Sequence, residues 1–250
     1  MNNELIQAFN HAFKDLYQGT QRPEDSFLTS DPTCVALKQK IRRLSITHHT
    51  VLLQGPSGVG KSLLARGLVN PTGRLFVENC SAFPDKTLGY ARLHGYKKGA
   101  FTGALEDKPG IFESATALKA TNTVFLDEIG DMPLDMQPQL LRILEEKVVN
   151  PLGTHEETPV KFRLIAATNK DIPALIQQGL FRADLYGRLM EIVLTIPPLS
   201  QRPDDVRLIC KSLDLPDSLI IQAQLNADKL DAFGVRYLKS LSSNYQLFGE

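Results

Sequence analysis

The sequence predicts an α/β fold: a parallel sheet sandwiched between helices, followed by a small helical appendage. Three observations carry this. Short apolar runs of strand length recur as TVLLQG, RLFVENC, TVFLDE, FRLIAATN and EIVLTI. Helical stretches separate them, and strands alternating with helices pair in parallel with both faces covered. Beyond Pro197-Pro198 no strand signal remains.

The elements follow in order. Leu5, Phe9, Ala12, Phe13 and Leu16 recur at helical spacing, so residues 1–18 read as a helix ended by Gly19. Such a stripe more often faces a core than a partner. Residues 20–30 read as a connector. Asp31 is a good N-cap and Pro32 suits the first helical position, so a helix runs from there to Leu44. TVLLQG has the apolar run of a buried parallel strand, and a helix begins near Lys61. Another helix is expected over residues 134–147, and three short ones over 203–211, 216–224 and 226–241. The expected divisions are 1–28, N-terminal helix and connector; 29–200, α/β subdomain; and 201–250, helical subdomain.

The 250 residues carry 28 basic and 28 acidic side chains, a formal net charge of zero. That removes the electrostatic case for sequence-independent nucleic-acid binding. No run approaches the roughly 20 apolar residues of a membrane span. The N-terminus lacks the basic-then-apolar pattern of a secretory signal. Cys34, Cys80 and Cys210 are far apart and form no CxxC pair, which fits a reducing cytoplasm and no structural zinc.

Gly55-Pro56-Ser57-Gly58-Val59-Gly60-Lys61-Ser62 fits GxxxxGK[ST] between a predicted strand and a predicted helix that starts with Lys61, Ser62 and Leu63. This is the pattern of a phosphate-cradling P-loop. Its backbone N–H groups and helix N-terminus favour phosphate, Lys61 reaches the outer phosphates, and the Ser62 hydroxyl ligates Mg²⁺. TVFLDE supplies the partner. Asp127 at the strand end can hold Mg²⁺ through water, and Glu128 can polarise the attacking water. Thr168 and Asn169 end another strand, where polar side chains point into the ligand crevice and can sense the outer phosphate.

With these residues in place, a resemblance becomes specific. Gly99-Ala100-Phe101-Thr102-Gly103-Ala104 reads GAFTGA, the signature of the AAA+ domain of sigma-54-dependent transcriptional activators. LHGYKKGAFTGA resembles the family's LFGHEKGAFTGA, and KPGIFESA its RPGRFEQA. TVFLDEIGDMPLDMQPQLLRIL is similar to its Walker B segment, FRLIAATNKDI to sensor I, and GLFRADLYGRLMEIVLTIPPLSQRPDD to its arginine-finger segment and lid start. The resemblance implies a P-loop AAA+ fold, ATP and Mg²⁺ as ligands, and a Gly99–Ala104 loop that contacts the sigma-54 RNA polymerase holoenzyme. It implies that Asn79 holds the Walker B glutamate until ATP is sensed. Arg182 and Arg188 become arginine fingers acting on a neighbouring subunit's nucleotide, which requires a ring, a hexamer in expectation. Phe101 and Thr102 would make the sigma-54 contact, with Phe101 either exposed or tucked against the body according to nucleotide state.

The chain departs from the pattern in several places. His94 and Lys97 replace the family's usual Phe and Glu, which makes the loop stem more basic. NPLGT replaces ERVGG in the second pore loop, so Pro151 takes the arginine's place. ALKATN before the Walker B strand replaces a tight Gly-Gly turn. Phe248-Gly249-Glu250 ends the sequence about where the lid's GNVREL motif would begin, so an incomplete lid without sensor II is expected. No helix-turn-helix is in view, so promoter DNA would be touched only indirectly. Lys38, Lys40, Arg42 and Arg43 read as a solvated helix face, and His48 and His49 as loop residues without a paired carboxylate.

The leading expectation is an ATP-driven remodeller of the sigma-54 closed complex. The alternative is a non-catalytic nucleotide-binding partner in a hetero-oligomer with a related activator, motivated by the missing sensor II and the altered second loop. A AAA+ machine acting on another protein is disfavoured by GAFTGA.

Overall fold

The computed structural model describes residues 23–83, 86–116 and 122–248. The helix expected over residues 1–18 lies outside them, as does most of ALKATN. The strands are β1 Val51–Gln54, β2 Leu75–Asn79, the short pair β3 Gly95–Tyr96 and β4 Lys108–Pro109, β5 Thr123–Asp127, the short pair β6 Val148–Val149 and β7 Thr158–Pro159, β8 Arg163–Thr168 and β9 Ile192–Thr195. The helices are α1 Pro32–Leu44, α2 Lys61–Gly67, α3 Lys86–His94, α4 Ile111–Thr116, α5 Gln137–Glu146, α6 Ile172–Gln177, α7 Ala183–Leu189, α8 Pro203–Ser212, α9 Asp217–Leu225, α10 Ala227–Phe233 and α11 Val235–Phe248.

The main sheet is parallel, in the order β2-β5-β8-β1-β9. All six residues of central β8 are buried. Side chains alternate between two faces, as strand geometry requires. Leu52, Leu126, Leu164 and Ala166 pack against Phe112, Met136, Leu140 and Ile143 on one face. Val51, Leu53, Phe125 and Ile165 pack against Ile41 and Leu64 on the other. The sandwich expected from strand–helix alternation is therefore present.

The segment 23–28, read from sequence as connector, is part of this core. Phe27 is buried against the second face. Glu24 is 3% exposed and meets Arg42 Nε at 3.2 Å, while Asp25 takes Arg42 Nη2 at 2.6 Å. Lys38 lies 3.9 Å from Asp25. Half of the basic cluster read as a solvated face is thus ion-paired. Asp31 caps α1 as expected, accepting the Cys34 N–H at 2.9 Å.

Residues beyond Leu199 build a third core from Val206, Cys210, Ile220, Leu230 and Leu238. The helix expected over 226–241 is two helices. Gly234 interrupts it at φ +54°, leaving α10 and α11 on either side. This lid is fastened to the start of the core through Asp205. Its fully buried carboxylate accepts Thr29 Oγ1 (2.7 Å), the Ser30 N–H (2.7 Å), the Asp31 N–H (3.3 Å) and Arg202 Nη1 (3.1 Å). At the amino end of the sheet, buried Arg163 donates to the carbonyls of Leu68 and His49. No described helix is long and apolar enough to cross a membrane.

Candidate functional site

Neighbouring strands β5, β8 and β1 end together, so their carboxyl ends bring three predicted segments to one crevice. The P-loop leaves β1 at Gly55, whose N–H donates to Thr168 O at 3.2 Å. Lys61, the first residue of α2, is 5% exposed. Its Nζ donates to Gly55 O and Pro56 O, each at 3.0 Å, and lies 3.8 Å from Glu128 Oε1. Burial pushes its ammonium below the ordinary lysine value, Glu128 and Asp127 pull it back up, and Arg236 adds to the lowering. Ser62 Oγ donates to Asp127 Oδ2 at 3.0 Å, so the two expected metal-holding residues are already side by side.

Glu128 sits at φ +51°, a left-handed backbone uncommon outside glycine. The turn aims its carboxylate back over the crevice, where Oε2 accepts the Asn169 N–H at 3.3 Å. Thr168 is buried, and its Oγ1 accepts the Lys170 N–H at 3.0 Å. Asn79 pairs in register with Asp127, but its side-chain oxygen is taken by Ser81, N–H at 3.0 Å and Oγ at 2.8 Å. No hydrogen bond joins Asn79 to Glu128. Lys61 and the Asn169 amide hold that carboxylate here.

Arg236 was not expected from the sequence, and it corrects the reading that no lid arginine reaches this site. Val235 N–H donates to Gly58 O at 3.0 Å, and Arg236 Nη1 lies 3.5 Å from Ser57 Oγ. The approach is close because both partners are glycine. A Cβ on Gly58, at φ +71°, would stand 2.1 Å from Phe233 O, and one on Gly234 would stand 2.5 Å from Gly58 C. A usable signal was present: Gly234-Val235-Arg236-Tyr237-Leu238 keeps the glycine, valine, arginine and leucine of GNVREL with one residue fewer. Between lid and P-loop lies a cleft of about 220 Å³, where Val59 and Leu63 meet Phe27, Leu28, Ile209 and Leu213.

Arg182 and Arg188 lie elsewhere. Arg182 forms a two-pronged pair with Asp184 at 3.0 and 2.6 Å, and its own N–H donates to Gln137 Oε1. Arg188 binds Glu145 Oε1 at 3.0 and 2.7 Å. It lines a separate polar cavity with His48, Thr50, Lys147 and Glu191, at the amino ends of β1 and β9. From Thr50 to Gly55 is about 16 Å of strand rise. Contrary to the sequence reading, His49 has a carboxylate partner: its Nδ1 meets Glu191.

The Gly99–Ala104 loop rises from the β3–β4 ribbon. Gly99 N–H donates to Ala104 O at 2.9 Å, and Lys98 N–H to Asp107 Oδ1 at 2.8 Å. Of the two states expected for Phe101, this is the tucked one. Its ring is half-buried, edge-on to Tyr96 at 5.0 Å, in a groove with Val77, Leu88, Arg92 and Ile111 beside edge strand β2. The stem is less basic than its sequence suggests. Burial, then Arg142, pushes the His94 imidazole down to about 4, so the ring is neutral, and Lys97 pairs with Asp107 at 3.1 Å.

The sigma-54 interaction domain family matches residues 27–195. The chain is 36% identical over 214 residues to the transcriptional regulatory protein GlrR of Escherichia coli K12, covering 84% of this chain and 47% of that protein. It is 43% identical over 180 residues to the sigma54-dependent transcriptional activator SfnR of Pseudomonas putida, covering 70% and 48%. The chain thus spans about half the length of these relatives. Among solved structures it is similar to Brucella abortus NtrX in complex with ADP, with a TM-score of 0.68 at 25% identity, covering 87% of this chain and 49% of that one. A P-loop crevice at the ends of a parallel sheet, a lid over it and a GAFTGA loop on its flank agree with these matches: the chain has the P-loop AAA+ fold and belongs to the sigma-54 interaction domain family of transcriptional activators.

Proposed function

We propose that this chain hydrolyses ATP within a ring of its own copies and uses the Gly99–Ala104 loop to remodel the sigma-54 RNA polymerase closed complex. One observation carries the reading: a complete P-loop and carboxylate set lies in the same subunit as a GAFTGA loop on its own ribbon. The residues fit a magnesium nucleotide. Ser62 Oγ and Asp127 form a pair of hard oxygen donors already in contact, and Lys61 rests on loop carbonyls that it can leave for phosphate. Mg²⁺ held by Ser62 and Asp127 would supply neutralising charge to the phosphate oxygens.

The remaining roles belong to side chains of this chain. The N–H groups of Gly58 to Ser62 and the start of α2 favour the phosphates. Lys61 contributes a cation to the outer phosphates. Glu128 orients the water by accepting its proton-bearing edge, and Thr168 and Asn169 lie where a change at the outer phosphate alters the hold on Glu128. Arg236 provides the lid's cation at Ser57. The cleft beside Val59 and Leu63 is an apolar slot for the base. Arg182 and Arg188 complete the site of a neighbouring copy, releasing Asp184 and Glu145 to do so. Arg236 also removes one ground for a passive partner, the lack of a lid arginine.

The test is a pair of measurements on the purified chain. ATP turnover per subunit should rise with protein concentration as copies assemble. The assembled protein with ATP should open a sigma-54 promoter complex, and Thr102→Ala should abolish opening while sparing turnover. Turnover that never exceeds that of Glu128→Gln, or opening that persists in Thr102→Ala, would overturn the proposal.

A further inference from the structure

The second loop, residues 150–154, is firmly joined to the first. Leu152 N–H donates to Gly95 O at 3.0 Å, and Leu152 O accepts the Lys97 N–H at 2.8 Å. Gly153 lies so close to the GAFTGA loop that a Cβ would stand 2.9 Å from Ala100 Cβ. Beneath these contacts sits His94, the last residue of α3, 1% exposed. Its Nδ1 accepts the Asn150 N–H at 3.1 Å, and Tyr90 stacks on its ring at 4.0 Å and 12°.

The hydrogen bond fixes the tautomer. Since Nδ1 accepts, the ring proton is on Nε2, which is buried without a hydrogen-bond partner among the described residues. An unsatisfied buried N–H costs about 1–3 kcal/mol. A phenylalanine at this position would avoid that cost and would offer Asn150 no acceptor. The pocket around His94 therefore carries a penalty that its packing does not require. What it gains is the bond to Asn150. Burial keeps the ring neutral at ordinary pH, so Nδ1 remains an acceptor.

Asn150 has a direct line to the carboxylate end of the sheet. From Glu128 the chain passes through the 3₁₀ turn Ile129–Asp131 into α5, then through Lys147 into β6 and Asn150. Val160 N–H on Lys147 O, at 2.8 Å, closes the β6–β7 hairpin. We infer that His94 is a positioning residue that clamps this hairpin to the stem of the Gly99–Ala104 loop, so that displacement of α5 is delivered to Phe101. The imidazole adds to the backbone bonds of Leu152 a side-chain tie between α3 and the residue that enters the second loop. The inference rests on the proposed remodelling function.

The experiment compares wild type, His94→Phe and His94→Gln, the last able to accept the same N–H through its side-chain carbonyl. Three quantities are read: ATP turnover, hydrogen exchange at the Asn150 amide, and ATP-driven opening of a sigma-54 promoter complex. Turnover should stay within about twofold in all three, since His94 touches none of the nucleotide residues. Loss of one buried hydrogen bond should speed Asn150 exchange in His94→Phe about tenfold and slow opening by a similar factor. His94→Gln should recover most of both. Unchanged exchange or opening in His94→Phe, or a His94→Gln no better than His94→Phe, would overturn the inference. If wild type neither turns over ATP nor opens the complex, the proposed function fails, while the Asn150 exchange still decides whether the clamp exists. Should His94→Phe not fold, His94→Leu takes its place with the same expectations.

Discussion

At the carboxyl ends of β1, β5 and β8 the chain gathers Lys61, Ser62, Asp127, Glu128 and Thr168. At the amino ends of β1, β8 and β9 it gathers Arg163, His49, Glu191 and Arg188. The first set is held by bonds that phosphate can replace, such as Lys61 on two loop carbonyls and Ser62 on Asp127. The second set divides in two. Arg163 is buried and bound to the His49 and Leu68 carbonyls, whereas Arg188 is 60% exposed and rests on Glu145. One end is thus arranged for a ligand. The other is scaffold, with one arginine set outward, about 16 Å of strand from its own P-loop. On the proposed function, the P-loop and Arg188 of one copy are two halves that do not meet within it.

The largest expected effect tests that separation. Arg188→Ala should lower ATP turnover on the order of 10³–10⁵-fold, the usual range for an arginine finger. Mixing it with the equally inactive Lys61→Ala protein should restore turnover, because an intact P-loop then meets an Arg188-bearing neighbour. No recovery in the mixture would mean that Arg188 serves its own subunit, and the contrast between the two ends would collapse. Next comes the scaffold half. Arg163→Ala leaves the Leu68 and His49 carbonyls without their charged donor, which should cost about 3 kcal/mol in urea unfolding. Turnover of the molecules that remain folded should be little changed.

Acid acts between the ends, on the loop stem. The His94 pKa falls from 6.5 to about 4 on folding, so between those values the unfolded chain binds more protons. Stability should fall as pH drops from about 6.5 to 4, by about 3 kcal/mol in all. His94→Phe should remove that part of the slope in unfolding curves across this range. Gly58→Ala sharpens the contrast at the nucleotide end. A methyl group there meets Phe233 O and demands a left-handed backbone, so the lid should lift and nucleotide affinity fall about tenfold by calorimetry. The smallest effect is expected from His49→Ala. It breaks an exposed ion pair with Glu191, and the melting free energy should move by less than about 1 kcal/mol.

What could be read from the sequence depended on the range of the interaction. The P-loop, the Asp127-Glu128 pair and the strand ends were legible because each is a local pattern, with spacing and chemistry in the same few residues. The lid arginine escaped because Gly234-Val235-Arg236-Tyr237-Leu238 is one residue short of the motif. Its meaning also lies in the packing of Gly234 on Gly58, far away in the chain. The same glycine hid the break between α10 and α11. His94 looked like added charge because nothing in one residue type tells that Tyr90 and Asn150 will enclose it. His49 finds Glu191 only once β1 and β9 lie side by side. Which of its two states Phe101 adopts depends on a groove along β2 that exists only in the fold.

Asp205 joins the beginning of the lid to the beginning of the core through Thr29, Ser30, Asp31 and Arg202. On the far side the lid meets the P-loop where Val235 N–H donates to Gly58 O and Arg236 Nη1 lies 3.5 Å from Ser57 Oγ. A body fastened strongly at one point and lightly at another has an axis. Loosening the lighter fastening should therefore widen the cleft by turning the lid about Asp205, with the three hydrophobic cores left intact. The residence time of a nucleotide bound there should then shorten when Arg236, the cation beside that backbone hydrogen bond, is replaced by alanine.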